Sequence, residues 1–560
     1  MKQHSKTCAL YVLLLIAVLS GCSNADSKPS TKTIATISED GLDETIFPKN
    51  SIVDVKITID EADFQAILDN PTAEQYYEAS VNYNGNLLEN IGFRTKGNSS
   101  LRSVAGMSNS NRYSFKLSLD EYVTQSIGGI TKINLNNEYS DASYIREFLA
   151  YEIAEGMGIP TPKYSFVNVY INGELWGLYT AVEQMSTAFL EREFGTTTGT
   201  LYKSNGGNGA DLTALEAFED YTGLDVKHGN ADEQALVAMT DTLNNGEASS
   251  YSEVLDVEAA LRFIAFNTVT ANMDSYAGNF KHNYYLYELD GSFTIIPWDL
   301  NMAFGGFGGS GILIDEPTGV ALASRPLIAK LIADDTYREQ YHQIIEDMIN
   351  TYFTDGQFES RARELQALIS DAVQNDATAF VTFEQFEQGV DALIEFASTQ
   401  VDSINKQLSG EIASAGDGSG SASNGPGGGM GGDMFGGGRG NRGNGQMPNG
   451  EQAQMPNGGQ MPDGEQAQMP NFGNGQMPDG QQGQLPDFGN GQMPDGQQNW
   501  GGRGQGGFNG QFPGGFMNGE AGSATVSVQD QQNHFKATLI CAALLIIGCL
   551  IIVLWRRKSL

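Results

Sequence analysis

From about Gly410 to Asp530 the chain turns abruptly to Gly, Gln, Asn, Met and Pro, and no part of this tract carries enough apolar residues to bury a core. Within it Gln-Met-Pro followed by Asn or Asp, usually then Gly, recurs at Met447, Met455, Met461, Met469, Met477 and Met493, with Leu485 as a variant. The step is mostly eight residues. Such a tract is expected to be a disordered spacer, although its repeats offer a surface for a partner. As a flexible coil, about 120 residues span roughly 55–65 Å. Everything that folds must therefore lie upstream. Residues 22–44, rich in Ser, Thr, Lys and Asp, read as a tether, which leaves 45–409 with ordinary globular composition. That is room for one large domain or two lobes.

The two ends carry a different signal. Lys2 and Lys6 precede an apolar run from Leu10 to Leu19, too short to span a bilayer. The run closes on Leu19-Ser20-Gly21-Cys22, which resembles the lipobox of bacterial lipoproteins. By that resemblance residues 1–21 are a signal peptide and Cys22 carries the lipid. Residues 537–555 form an uncharged stretch long enough to cross the hydrocarbon core, and the tail 556–560 opens with Arg556, Arg557 and Lys558. Basic flanks stay in the cytoplasm, so the rest of the chain is expected on the outer face of the cytoplasmic membrane.

The four cysteines agree with this placement: Cys8 lies in the signal, Cys22 is the lipid site, and Cys541 and Cys549 sit in the apolar stretch. None remains for a disulfide or a cysteine-ligated metal in the exported domain. A net charge of −36 argues against binding nucleic acid through a basic surface.

Periodicity divides the globular part. Val53, Val55, Ile57 and Ile59 alternate with polar residues, the pattern of a half-buried strand. Asn84-Gly85 and Asn172-Gly173 are hairpin turns between strand-like runs. After Leu255 the pattern is mainly helical, roughly over 258–273, 338–353, 360–373 and 383–408. A strand-rich front half and a helical back half predict an α+β, two-lobed architecture.

One ribbon gathers chemistry. Asp274 and Asn279 precede a strand from Tyr284 to Leu289, a turn at Asp290-Gly291, and a return strand that leads to Pro297-Trp298-Asp299. A two-residue hairpin sets Tyr284 opposite Pro297 and brings Asp299, Asn279 and Asp274 towards one end. Two carboxylates and an amide oxygen suit Mg²⁺ or Mn²⁺ and, through the ion, nucleotide phosphates.

At this point the chain resembles a family, the spore-coat protein H (CotH) kinases. The matching segments are Phe93-Arg-Thr-Lys-Gly-Asn-Ser-Ser100, Tyr113-Ser-Phe-Lys-Leu117, Ile133-Asn-Leu-Asn136 and Ile145-Arg-Glu-Phe-Leu-Ala-Tyr151. Val169 to Tyr179, Glu183, Asn279, His282-Asn-Tyr-Tyr-Leu-Tyr287 and Pro297-Trp-Asp-Leu300 follow in order. The resemblance implies an atypical protein-kinase-like fold that transfers the γ-phosphate of ATP to Ser or Thr of exported proteins. It makes Asp274 the base and Asn279 and Asp299 the metal ligands. Lys116 resembles the phosphate-pairing lysine of kinases, and Arg94 and Lys96 beside Gly97 are placed to help hold phosphates.

The carboxylate partner of Lys116 is chosen from helical period. On a helix from about Ser143 to Glu155, the apolar arc of Ile145, Phe148, Leu149 and Ile153 contains Glu152, whereas Glu147 points nearly away. Glu152 is therefore expected to meet Lys116, the alternative being a carboxylate at the rim of the core paired to an arginine. His282 reads as a ligand, a base or a hydrogen-bonded structural residue. The strand-rich front half has no Gly-x-Gly-x-x-Gly loop to cover phosphates, and residues 45–409 contain neither His-Arg-Asp nor Asp-Phe-Gly. The competing function is a non-catalytic surface adhesin or scaffold on the same fold.

Overall fold

The computed structural model describes residues 41–309 and 311–421. The lipid site at Cys22, most of the tether, the repeat tract past residue 421, the apolar stretch 537–555 and the basic tail lie outside the described residues. Among the described residues no helix is long and apolar enough to cross a membrane.

The chain runs β1 (Val53–Ile59), α1 (Glu61–Asp69), β2 (Tyr77–Tyr83), β3 (Asn86–Lys96), α2 (Ser99–Ala105), β4 (Ser114–Ser118) and β5 (Lys132–Asn136). Next come α3 (Arg146–Gly156), β6 (Tyr164–Ile171), β7 (Glu174–Glu183), α4 (Thr187–Phe194), β8 (Thr200–Asn205) and β9 (Leu224–His228). The helical half holds α5 (Glu233–Asn245), α6 (Val257–Val269), β10 (His282–Leu289), β11 (Ser292–Pro297), α7 (Pro326–Ala333), α8 (Asp335–Tyr352), α9 (Gln357–Gln374) and α10 (Phe383–Leu408).

The first seven strands close into a barrel in the order β1-β2-β3-β4-β5-β7-β6, sealed by a parallel pairing of β6 with β1. Closure leaves no open edge on this lobe. The inward residues of the alternating strands, such as Val55, Ile57, Val81, Phe93, Phe115 and Ile133, fill it. A second sheet, β11-β10-β8-β9, carries the other lobe with the helices packed about it. The Asn84-Gly85, Asn172-Gly173 and Asp290-Gly291 turns all have positive φ at both residues (45° and 88°, 51° and 87°, 52° and 85°). That is the type I′ geometry that matches the twist of paired strands. The last of them sets Tyr284 opposite Pro297, the expected register.

The fold outruns its expected edges at both ends. Leu42 and Ile46 are buried in the barrel core, and the chain stays ordered past α10 to Ser421.

Helix α3 lies between the outer face of the barrel and the helical lobe. Its Phe148 stacks on Phe166 of β6 at 4.6 Å, and seven of its eleven residues are buried, Glu147 among them.

Candidate active site

The alternation of three neighbouring strands builds one wall of the cleft. Phe93 and Thr95, Phe115 and Leu117, and Ile133 and Leu135 are buried on the barrel side. The intervening Arg94 and Lys96, Ser114 and Lys116, and Asn134 and Asn136 line a cavity of about 450 Å³. Register aligns them in rows: Arg94 faces Lys116, which faces Asn134, while Lys96 faces Ser114. The opposite wall comes from the second sheet and the loop after α6, with Lys203, Asn205, Asp274, His282, Asn283, Trp298 and Asp299.

Lys96, Lys116 and Lys203 converge here, and all three have depressed pKa values. For Lys116 the depression is deepest: burial is the first cause, and the charges of Lys96, Arg94, Lys203 and Lys132 add to it. Burial also lowers Lys96 and Lys203, opposed in both by the negative charge of Asp299. The ammonium of Lys203 further lies 5.7 Å from the rings of both Tyr285 and Trp298. Arg94 is different, being ion-paired to Glu74 and stacked over Tyr76 at 4.9 Å.

The expected Lys116–Glu152 pair does not form. Lys116 Nζ donates to Gln184 Oε1 at 2.8 Å. Glu152 instead makes a forked pair with Arg361 of α9, at 2.8 to 3.2 Å, which is the alternative reading of that residue. The carboxylate that reaches the site is Glu147. Its Oε2 accepts from Asn136 Nδ2 at 2.7 Å, and Asn136 Oδ1 accepts from Lys96 Nζ at 2.6 Å. An asparagine amide thus links lysine to glutamate. The apolar arc misled because α3 is covered on most of its circumference, so hydrophobic direction no longer marks one inner face. Burial, then the nearby charge of Asp299, pushes the Glu147 carboxyl up to about 8.

Asp274 sits at the cleft as expected. Its Oδ1 pairs with His282 Nε2 at 2.7 Å, and its Oδ2 accepts from Asn283 Nδ2 at 3.1 Å. His282 is thereby a site residue rather than a remote structural one. Asn279 is not: it is exposed and absent from the cleft lining. The loop turns between Gly278 and Lys281, and it is Asn283, at the start of β10 with φ of 57°, that faces inward. With its amide N–H on Asp274, the Asn283 side-chain oxygen has no donor among the described residues.

Asp299 follows β11 in a left-handed conformation (φ 57°), its backbone N–H donating to Tyr151 Oη at 3.2 Å. Its carboxylate accepts no hydrogen bond among the described residues, although it lies close enough to Lys96, Lys203 and Glu147 to shift them. No group of three or more acidic, His or Cys side chains forms a cage among the described residues. A free carboxylate and a free amide oxygen beside a cationic wall fit Mg²⁺, which binds through one or two carboxylates plus phosphate and water oxygens. Asp299 and Asn283 would hold it, with Asp274 adjacent.

Sequence reasoning missed the cleft residues Lys203, Asn136, Glu138, Gln184 and Asn283, and it missed Glu147, which reaches the cleft through Asn136. The usable signal was the strand period at Lys203 and the second asparagine of Lys281-His282-Asn283.

A model of the CotH kinase protein family matches residues 93–404. The inner spore coat protein H of Bacillus subtilis (strain 168) is 24% identical over 302 residues, which is 51% of this chain and 81% of that one. Among solved structures, the proinflammatory kinase CtkA of Helicobacter pylori aligns at 12% identity over 50% of this chain and 91% of its own, with a TM-score of 0.23. The HipA–HipB toxin–antitoxin complex of Shewanella oneidensis MR-1 aligns at 12% identity over 59% and 80%, with a TM-score of 0.19. Superpositions that loose carry no weight. The family match spans both walls of the cleft and every residue placed in it from Phe93 onward, and on that ground this chain belongs to the CotH kinase family.

Proposed function

We propose that the protein is an Mg²⁺-dependent atypical kinase that transfers the ATP γ-phosphate to Ser or Thr hydroxyls of exported or surface proteins. It would work outside the cytoplasmic membrane, held by a lipid on Cys22 and by the stretch 537–555. The observation that carries this reading is the cluster of Lys96, Lys116 and Lys203 in one cleft, destabilised as cations until an anion joins them. A polyphosphate supplies that anion. Each lysine then gains an opposite charge, which favours its protonated form.

The opposite wall provides for the acceptor. Asp274, oriented by His282 and Asn283, faces the cleft where a hydroxyl would approach the γ-phosphorus. As the new O–P bond forms, the hydroxyl proton passes to the Asp274 carboxylate. The bond from the γ-phosphorus to the bridging oxygen breaks, and its electrons leave on the diphosphate. A bound Mg²⁺ would neutralise phosphate charge during this transfer. Lys96, kept in place by Asn136 and Glu147, and Lys116, kept by Gln184, hold the phosphates in line.

The test is incubation of the 41–421 polypeptide with γ-labelled ATP and Mg²⁺. Label incorporated into itself or a co-exported protein supports the kinase. Absence of both transfer and nucleotide binding would support the adhesin or scaffold instead.

A further inference from the structure

After α10 the chain turns at Ser409-Gly410 and runs back over the helical lobe, where residues 414–421 lie against segment 313–322. Asp315 N–H donates to Ser414 O at 2.8 Å, Leu322 N–H to Gly418 O at 2.9 Å, and Ser421 N–H to Thr318 O at 2.9 Å. The Ser421 hydroxyl, buried, donates to Glu316 O at 2.6 Å and accepts from Leu313 N–H at 2.9 Å. The Glu316 side chain is buried too, and its carboxylate collects the N–H groups of Gly416 and Gly418 at 2.8 to 3.1 Å.

Segment 313–325 in turn grips the loop that bears Asp274. Gly319 N–H donates to Ala277 O at 2.9 Å, Arg325 Nε donates to Tyr276 O at 2.7 Å, and Arg325 Nη2 donates to Gly278 O. The carbonyls of three consecutive residues, 276 to 278, are thus all held from this one segment. The same segment continues the chain from Asp299.

We infer that residues 414–421 are a strap that positions the catalytic loop through segment 313–325, so that the chain leading into the repeat tract is coupled to Asp274. The family match ends at residue 404, so the strap lies outside it. Its glycines serve this fit: Gly420 has φ of +87°, and a Cβ there would stand 2.1 Å from Val320 O. Seated, the strap holds 313–322 in register. Displaced, it leaves the buried Glu316 carboxylate without its amide donors, and the segment that grips 276–278 loosens. These are positioning residues, and none touches the cleft.

The activity arm of the test rests on the phosphotransfer reading; the exchange arm does not. In the full chain, Gly420→Ala should expel the strap and Glu316→Gln should loosen it. Amide exchange at 274–279 and 313–325 should accelerate about tenfold or more in Gly420→Ala, and less in Glu316→Gln, while the barrel strands stay protected. Transfer should fall by roughly 10- to 100-fold in kcat, with nucleotide Kd within about twofold, because misplacement of the base costs rate rather than binding. A peptide of residues 411–423 added in excess to Gly420→Ala should restore transfer, which a collapsed fold would not allow. If Gly420→Ala frees the strap yet leaves exchange at 274–279 unchanged, the inference is overturned. It is equally overturned if transfer is lost while that loop stays protected. If the barrel also unfolds in Gly420→Ala, the milder Glu316→Gln decides by the same criteria. Should the wild-type chain transfer no phosphate, the kinase reading fails while the exchange arm still decides the strap.

Discussion

Glu147 concentrates the electrostatic tension of the site in one side chain. Its folded pKa of about 8 lies above the ordinary carboxylate value of 4.5. Between those two pH values the folded chain holds a proton that the unfolded chain has released. Stability from this group is therefore lost as pH rises through that window, by up to about 1.4 kcal/mol per pH unit. Glu147→Gln should flatten that decline, which urea titrations of both proteins at pH 5 to 8 will measure; equal slopes would refute the assignment. The two aspartates should fail differently. Asp299→Asn removes a cleft carboxylate that accepts no hydrogen bond among the described residues and should abolish Mg²⁺-dependent nucleotide binding together with transfer. Asp274→Asn should keep nucleotide affinity within a fewfold while transfer falls by about 10² or more. Calorimetry with ATP and Mg²⁺ beside a transfer assay separates them, and the reverse pattern would exchange their roles.

Between elements, the connection from α9 to α10 is pinned to the barrel by a buried ion pair. Arg112, just ahead of β4, pairs with Asp376 and donates to Thr378 Oγ1 at 2.7 Å, Asn137 O at 3.2 Å and Trp176 O at 3.3 Å. Asp376 also accepts from Leu178 N–H at 3.1 Å. Both side chains are essentially shielded from solvent, 0% and 1% exposed. Removing one partner leaves the other charge buried, so Arg112→Met or Asp376→Leu should each cost about 3–5 kcal/mol. The double substitution should cost less than the sum. Denaturant titration of the four proteins gives the coupling, and strict additivity would show that the pair does not act as a unit. The Glu152–Arg361 pair is a weaker case, since both side chains are a quarter or more exposed. It docks α9 on α3, away from the cleft.

For the whole molecule, the described fold is one part of a chain whose ends are read from sequence alone. The lipobox-like Leu19-Ser20-Gly21-Cys22 predicts that Cys22→Ala abolishes labelling by a fatty-acid probe. The 537–555 stretch should still hold a fraction of the protein on membranes. Metabolic labelling and membrane fractionation check both, and an unlabelled wild-type protein would end the lipoprotein reading. The strap adds a structural reason for interest in the repeat tract, because the residues just ahead of it pack on the segment that grips the loop of Asp274.

Local physics made much of this protein legible. Strand period located β1, the three Asn-Gly and Asp-Gly turns announced their hairpins, and the register of β10 and β11 followed from a two-residue loop. Helix α10 could be placed from Phe383 to Leu408 because its buried residues, Phe386, Val390, Leu393, Ala397 and Ile404 among them, recur at helical spacing along one stripe. Tertiary structure decided what one element's pattern cannot encode. Helix α3 is buried on most sides, so its hydrophobic arc pointed to Glu152 while packing turned Glu147 towards the lysines. The loop after Asp274 put Asn279 in solvent and Asn283 in the cleft, because a left-handed residue at the start of β10 reversed which asparagine faces inward. Lys203 joined the site only when the second sheet met the barrel. Lys96 and Lys116 lie more than eighty residues back along the chain, and no local period can bring charges together over that distance.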